Sequence, residues 1–343
     1  MNPLSLVRPN ILSLEPYSTA RDEFKGGDIS VWLDANESPY PTGVNRYPDP
    51  HQKALKLAVS RLKGIGPDHI FIGGAGSDEA IDLTYRIFCR PGIDNAIAIA
   101  PSYGVYAVSA DINDVELRTV SLGEDYSLPV DRLLEAADAN SKLMWICSPN
   151  NPTANSFGRD DILRLVREFR GMVVVDEAYI DFASAPSLIG EIGRHPNLIV
   201  LQTFSKAWGM ASLRIGMAFA VAEIAELYAR VKYPYNINGP TQAEVLRRIS
   251  ETDIRPQVEE IRAQRDFLSR RLAAHPRVLK VYPSDANFIL VKVDDADAMY
   301  DYLISHGVIV RNRNRVKGCE GCLRFTVGTP EENLRVTTLL EKY

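Results

Sequence analysis

From about residue 70 to residue 220, short apolar runs alternate with segments whose apolar positions recur every three or four residues. The runs AIAIA (96–100), VELRTV (115–120), KLMWIC (142–147), MVVVD (172–176), NLIVLQTF (197–204) and GMAFAV (216–221) predict strands. The segments 78–88, 130–139 and 160–169 predict helices between them. Uninterrupted apolar strands interleaved with helices predict a mostly parallel sheet covered on both faces. Such sheets collect ligands at the carboxyl ends of their strands. After Pro240 the pattern changes. One long charged helix is expected over 242–274, followed by strands at VLKVY (278–282), NFILVKV (287–293), VIVRN (308–312) and CLRFTV (322–327), with a helix near 296–305. Residues 1–40 carry four prolines and little periodicity, which predicts an arm laid against something else. The expected organisation is an arm (1–40), a large domain (41–240) and a smaller α+β domain (241–343), with the arm packing on the small domain or on a partner subunit.

Composition narrows the picture. The chain has 343 residues, too many for a single core, and a formal net charge of −5 with its basic residues scattered except between Arg311 and Lys317. Nucleic acid is therefore not an expected partner. No apolar stretch reaches the roughly 18 residues that span a bilayer, and the first residues lack the blocks of a signal peptide, so a cytoplasmic location and no membrane partner are expected. Cys319 and Cys322 form a CxxC, but no second pair completes a metal site, so they are read as reduced thiols in a turn, with no metal expected.

Three polar clusters follow apolar runs, where a parallel sheet places its ligands: SPNNPT (148–153), DEAY (176–179) and TFSK (203–206). Each alone is an ordinary turn, cap or surface lysine. Together they set an amide, a carboxylate, a phenol and an amine on neighbouring loops. Pyridoxal 5′-phosphate uses that set: an amine for covalent attachment (Lys206), an anion at the ring nitrogen (Asp176), and donors at the ring oxygen (Asn151, Tyr179). GGAGSDEA (73–80) would cradle a phosphate on the amides of Gly76, Ser77 and Asp78 at a helix start. Thr203, Ser205 and Arg214 would complete that cradle. Tyr103 of PSYGVY (101–106) would stack on the ring.

EPY (15–17), LDANESPYPTG (33–43), RYPD (46–49), GAGSDE (74–79), PSYGVY, SPNNPT, DEAYIDF (176–182), TFSKAWGMASLRIG (203–216), VRN (310–312) and CLRFTVGT (322–329) run in order along nearly the whole chain. On these motifs the sequence resembles the fold-type I pyridoxal-phosphate-dependent aminotransferases of the aspartate aminotransferase superfamily, and more narrowly the histidinol-phosphate aminotransferase subfamily.

The resemblance implies a transaminase of histidine biosynthesis, working on a small-molecule amino donor and 2-oxoglutarate, with Lys206, Asp176 and Tyr179 as catalytic residues. It implies that Arg324 receives a substrate carboxylate, that Arg311 helps to hold a substrate phosphate, and that Tyr17 and Asn36 border the same pocket. Tyr47 resembles a residue that reaches the cofactor phosphate of a partner subunit, which implies a homodimer with shared active sites. VRNRNRV departs from the acidic residue that family members often carry after the first arginine. An aromatic amino-acid aminotransferase and a threonine-phosphate decarboxylase remain alternatives; an effector-binding domain of a transcription regulator lacks the DNA-binding segment it would need.

Overall fold

The computed structural model describes residues 2–19, 23, 26 and 29–343. A seven-stranded sheet forms its centre, built from β1 (Ile70–Gly76), β2 (Asn95–Ala100), β3 (Glu116–Ser121), β4 (Ser141–Cys147), β5 (Met172–Asp176), β6 (Leu198–Thr203) and β7 (Gly216–Phe219). Their order across the sheet is β1-β7-β6-β5-β4-β2-β3. All neighbours pair in parallel except β7, which runs antiparallel to both β1 and β6. β4, β5 and β6 read as continuous apolar runs because both faces are covered. Ile146, Val173 and Val175 point to one apolar layer and Trp145, Val174 and Ile199 to the other. Each buried aliphatic side chain of this kind contributes about 1.5–3 kcal/mol.

A second sheet, entirely antiparallel, has the order β10-β11-β9-β8 and is built from β8 (Val278–Val281), β9 (Phe288–Val293), β10 (Arg311–Asn312) and β11 (Cys322–Thr326). One face packs on the Arg255–Ala273, Ala296–Ser305 and Pro330–Leu340 helices through Leu268, Met299 and Leu340. The other contributes Phe288, Leu290 and Cys322 to the core of the first unit. The two sheets thus meet along a shared apolar seam, and that seam holds β10 and β11 beside the carboxyl ends of β4–β6.

Several elements differ from the sequence expectation. β1 begins at Ile70, a strand absent from the sequence expectation, and it runs into the glycine segment as far as Gly76; the antiparallel β7 pairs with it from Ile70 to Gly73. The single helix expected over 242–274 is two helices, Gly239–Glu251 and Arg255–Ala273. The chain is extended at Thr252, and Pro256 at the second helix's start has no N–H to continue the first. The helix at 130 stops at Glu135, since the Asp138 carboxylate gathers the Asn140 N–H and the side chains of Asn95 and Ser141 into a turn. The C-terminal helix Pro330–Leu340 was readable from the Thr329/Glu332 capping box but is absent from the sequence expectation. The described start of the arm packs on the large unit: Val7 and Ile11 are buried with Phe88 and Tyr228, and the Arg8 N–H donates to the Ile87 carbonyl at 3.0 Å.

Candidate active site

Parallel pairing puts the ends of β2, β4, β5 and β6 side by side. Cys147 pairs with Asp176, and Asp176 with Leu201, so the loops after these strands open at one level. There they line a cavity of about 750 Å³ whose far wall comes from β10 and β11. Of the residues that the sequence singled out, Gly76, Ser77, Asp78, Tyr103, Asn151, Asp176, Tyr179, Thr203, Ser205, Lys206, Arg214, Arg311 and Arg324 all border this space.

The floor is polar, with Asp176, Tyr179 and Asn151 buried and Lys206 open to the cavity. Asp176 is 2% exposed, and its carboxyl is pushed up to about 6 by desolvation, against the opposing effect of its hydrogen bonds. Tyr106 Oη donates to one carboxylate oxygen at 2.7 Å and the Ala178 N–H to the other at 3.1 Å. No cation lies within ion-pair distance of it among the described residues. Lys206 sits in a turn closed by the Gly209 N–H, with Nζ 5.6 Å from the Tyr179 ring centroid. Burial, and then the nearby Arg324, lowers its pKa, which raises the fraction of free amine. The Tyr179 phenol is pushed up by burial and stays protonated, a donor at neutral pH. Asn151 Oδ1 accepts from Arg324 Nη1, which turns the Asn151 amide nitrogen toward the space.

Beside the floor, the Ser77–Phe88 helix starts at the cavity edge, so the N–H groups of Ser77 and Asp78 have no helical acceptor. The Gly76 N–H is not part of this cradle, contrary to the sequence expectation: it donates to the Arg214 carbonyl at 2.8 Å. That bond draws the two chain segments together, and only glycine fits at Gly216, where an added Cβ would lie 2.1 Å from the Ser77 nitrogen. The same crossing brings the Arg214 guanidinium 3.6 Å from Asp78, and Thr203 and Ser205, their hydroxyls 2.8 Å apart, line the same cavity.

Three sequence candidates lie elsewhere. Tyr17 is 73% exposed, Asn36 is exposed with φ 54°, and Tyr47 is 52% exposed and stacked on Tyr235; none lines this chain's cavity. Two lining or supporting residues were missed. Tyr106 lies three positions after Tyr103, a same-face helical spacing, and its ring stacks on Trp145. Arg313 lies two positions after Arg311, a same-face strand spacing hidden inside a run of basic residues.

The sequence profile described as aminotransferase class I and II matches residues 21–338. The chain belongs to this aminotransferase family. A histidinol-phosphate aminotransferase of Bacteroides fragilis is 50% identical over 98% of this chain and 98% of its own. One of Parabacteroides distasonis is 52% identical over 96% and 95%. Among solved structures, the histidinol-phosphate aminotransferase of Sinorhizobium meliloti in complex with pyridoxal 5′-phosphate superposes with a TM-score of 0.79 at 23% identity, covering 90% of each chain. This last likeness establishes the fold-type I aminotransferase architecture, which the central parallel sheet and the separate antiparallel sheet also express.

Proposed function

We propose that this aminotransferase carries the amino group of L-histidinol phosphate to 2-oxoglutarate, giving imidazole acetol phosphate and L-glutamate, with pyridoxal 5′-phosphate as cofactor. The observation that carries this reading is the joining, in one cavity, of a buried anion and an amine of lowered pKa with an arginine wall that, among the described residues, has no carboxylate ion-pair partner. Full-length relatives at about half identity, named for that reaction, support the choice of substrate.

The residues fit the cofactor. Asp176 is a desolvated carboxylate with room for a cationic N–H, Lys206 is an amine with a lowered pKa, and the start of the Ser77–Phe88 helix with Arg214 matches a phosphate. When bound, pyridoxal phosphate supplies an aldehyde that bonds amines covalently and a ring that draws electron density from the neighbouring carbon. Asp176 holds the proton on the ring nitrogen. Lys206 would anchor the group, and its amine, when free, would take and return the proton of the substrate carbon. Tyr179 and the Asn151 amide would donate to the ring oxygen, and Tyr103, held by its bond to Asp78 at 3.0 Å, would offer the ring an aromatic face. Ser77, Asp78, Thr203, Ser205 and Arg214 hold the cofactor phosphate.

Arg311 and Arg324 receive the substrate's anionic end. Both are on the same wall, and both half-reactions bring an anion there: phosphate from the donor, the distal carboxylate from 2-oxoglutarate. Tyr47, exposed and outside its own chain's cavity, reaches the cofactor phosphate of a second copy, and Tyr17 and Asn36 join the substrate pocket in that homodimer. Among the described residues no helix is long and apolar enough to cross a membrane, in keeping with a cytoplasmic enzyme.

The test is a half-reaction titration of the cofactor-loaded enzyme with histidinol phosphate, phenylalanine and threonine phosphate. Histidinol phosphate should convert the cofactor to its amine form. Equal conversion by phenylalanine, or carbon dioxide released from threonine phosphate, would overturn the substrate assignment.

A further inference from the structure

Residues 311–315 read Arg-Asn-Arg-Asn-Arg, and the alternation has a structural consequence. Arg311 pairs directly with Arg324 across β10 and β11, and the pairing continues one step on, where the Arg313 N–H donates to the Cys322 carbonyl at 2.9 Å. In an extended segment successive side chains point to opposite sides. Here one side is fixed by a single carboxylate: Asn312 Nδ2 donates to Asp297 Oδ1 at 2.6 Å and Asn314 Nδ2 to Asp297 Oδ2 at 2.9 Å. Asn314 is tied further, its Oδ1 accepting from the Gly321 N–H and its own N–H reaching Asn312 Oδ1. With both asparagines gripped, Arg311 and Arg313 are left facing the cavity, which both of them line.

Arg313 is half-buried there, its Nε is shielded from solvent without a hydrogen-bond partner, and so is that of Arg324. No carboxylate among the described residues forms an ion pair with Arg311, Arg313 or Arg324. Like charges set directly across a ladder repel, so an anion brought from outside relieves this wall. Two guanidinium forks saturate the two oxygens of a carboxylate, whereas a phosphate monoester presents three terminal oxygens. We infer that Arg313 is a third phosphate-reading residue of the substrate site, aimed by the Asp297 grip on Asn312 and Asn314, and that it favours the phosphorylated amino donor over the dicarboxylate acceptor. This deepens the proposed function and rests on it for the identity of the donor.

The experiment compares the cofactor-loaded wild type with Arg313→Gln, Arg313→Lys and Asp297→Ala. Half-reaction titrations with histidinol phosphate, histidinol and glutamate give an apparent Kd for each. Arg313→Gln should weaken histidinol phosphate by about tenfold or more, while histidinol and glutamate change by less than about threefold. Arg313→Lys should lie between, since it keeps the charge and loses the fork. Asp297→Ala should shift histidinol phosphate in the same direction by a smaller factor. Equal weakening of histidinol and histidinol phosphate in both Arg313 variants would overturn the inference. Calorimetry with inorganic phosphate on the loaded enzyme, whose cofactor cradle is already filled, tests Arg313 apart from donor identity. Weaker phosphate binding in Arg313→Gln upholds the role even if histidinol phosphate fails as donor, and unchanged binding refutes it.

Discussion

The floor of the cavity and its arginine wall solve opposite electrostatic problems. On the floor, charges of both signs are assembled within the chain: Asp176 with the Tyr106 and Ala178 donors, Arg214 near Asp78, Lys206 within the influence of both carboxylates. The wall carries one sign only, with Arg311 opposite Arg324 and Arg313 pushed down to about 10 by burial and then by those two neighbours. The floor comes from the ends of β4–β6 and the neighbouring start of the Ser77–Phe88 helix, the wall from β11, the two-residue β10 and the loop beyond it. A site whose charges are internally balanced can hold one resident group through many turnovers. A site left unbalanced gains most from a ligand that arrives with the missing charge and leaves with it.

The contrast is broken most severely at Lys206. Lys206→Ala should lower turnover by on the order of 10⁴ or more, because both attachment and proton transfer are lost. Borohydride reduction of the loaded wild type followed by peptide mass spectrometry should place the cofactor's mass on Lys206, and residual turnover near wild type would rule out its role.

Asp176→Asn is expected to lower turnover by about 10²–10³, since a neutral amide cannot hold a positive ring nitrogen. A second signature appears in the cofactor-free protein. The folded-state pKa of Asp176, about 6, lies above the ordinary aspartate value of 3.8, so the fold binds this proton more tightly than the unfolded chain does. The stability it contributes is complete below about pH 4 and is lost as pH rises through about 6, a change of roughly 3 kcal/mol. Urea unfolding of the cofactor-free wild type and Asp176→Asn at pH 4.5 and 7.5 should show the wild type losing more stability across that window. Parallel behaviour of the two proteins would mean that Asp176 is not desolvated as described.

Tyr106→Phe sharpens the same point at smaller scale. Its hydroxyl holds the Asp176 pKa down, so removing it should move the acid limb of the pH–rate profile upward and lower turnover about tenfold near neutrality, the low end of the worth of one hydrogen bond to a charged group. An unmoved limb would show that Tyr106 serves packing against Trp145 alone.

Legibility in the sequence divides along the same line. Floor residues stand at the ends of continuous apolar runs, so the rule that places ligands at strand ends finds Asn151, Asp176, Thr203 and Lys206 without knowledge of contacts. The wall gives no such signal. Arg313 sits among Arg311, Arg315 and Lys317 and reads as solvated charge; what separates it from its neighbours is Asp297, on a helix and fifteen residues before Asn312, whose grip on Asn312 and Asn314 no local pattern records. Gly76 fails for a related reason: its glycine suggests a free amide, but the amide is taken by Arg214, a partner 138 positions away. Helix ends at 135 and 251 were misplaced because side-chain turns and a following proline, not apolar periodicity, decide them.

The smallest effect is expected where the sequence is most suggestive. Cys319 and Cys322 are both buried, each about 1% exposed, and burial raises the pKa of both, so neither is a thiolate at neutral pH. They pack on the seam between the two sheets with Phe288 and Leu290, and Tyr126 Oη meets Cys319 Sγ at 3.8 Å. Their place is therefore behind the wall, supporting the turn that returns the chain from Arg313 to Arg324. Cys319→Ala with Cys322→Ala should leave half-reaction constants within about twofold and lower stability by about 1 kcal/mol per lost thiol, read by urea unfolding. A loss of histidinol phosphate binding as large as that of Arg313→Gln, without loss of stability, would show instead that the thiols act on the wall directly, and that the boundary between floor and wall runs deeper than its arginines.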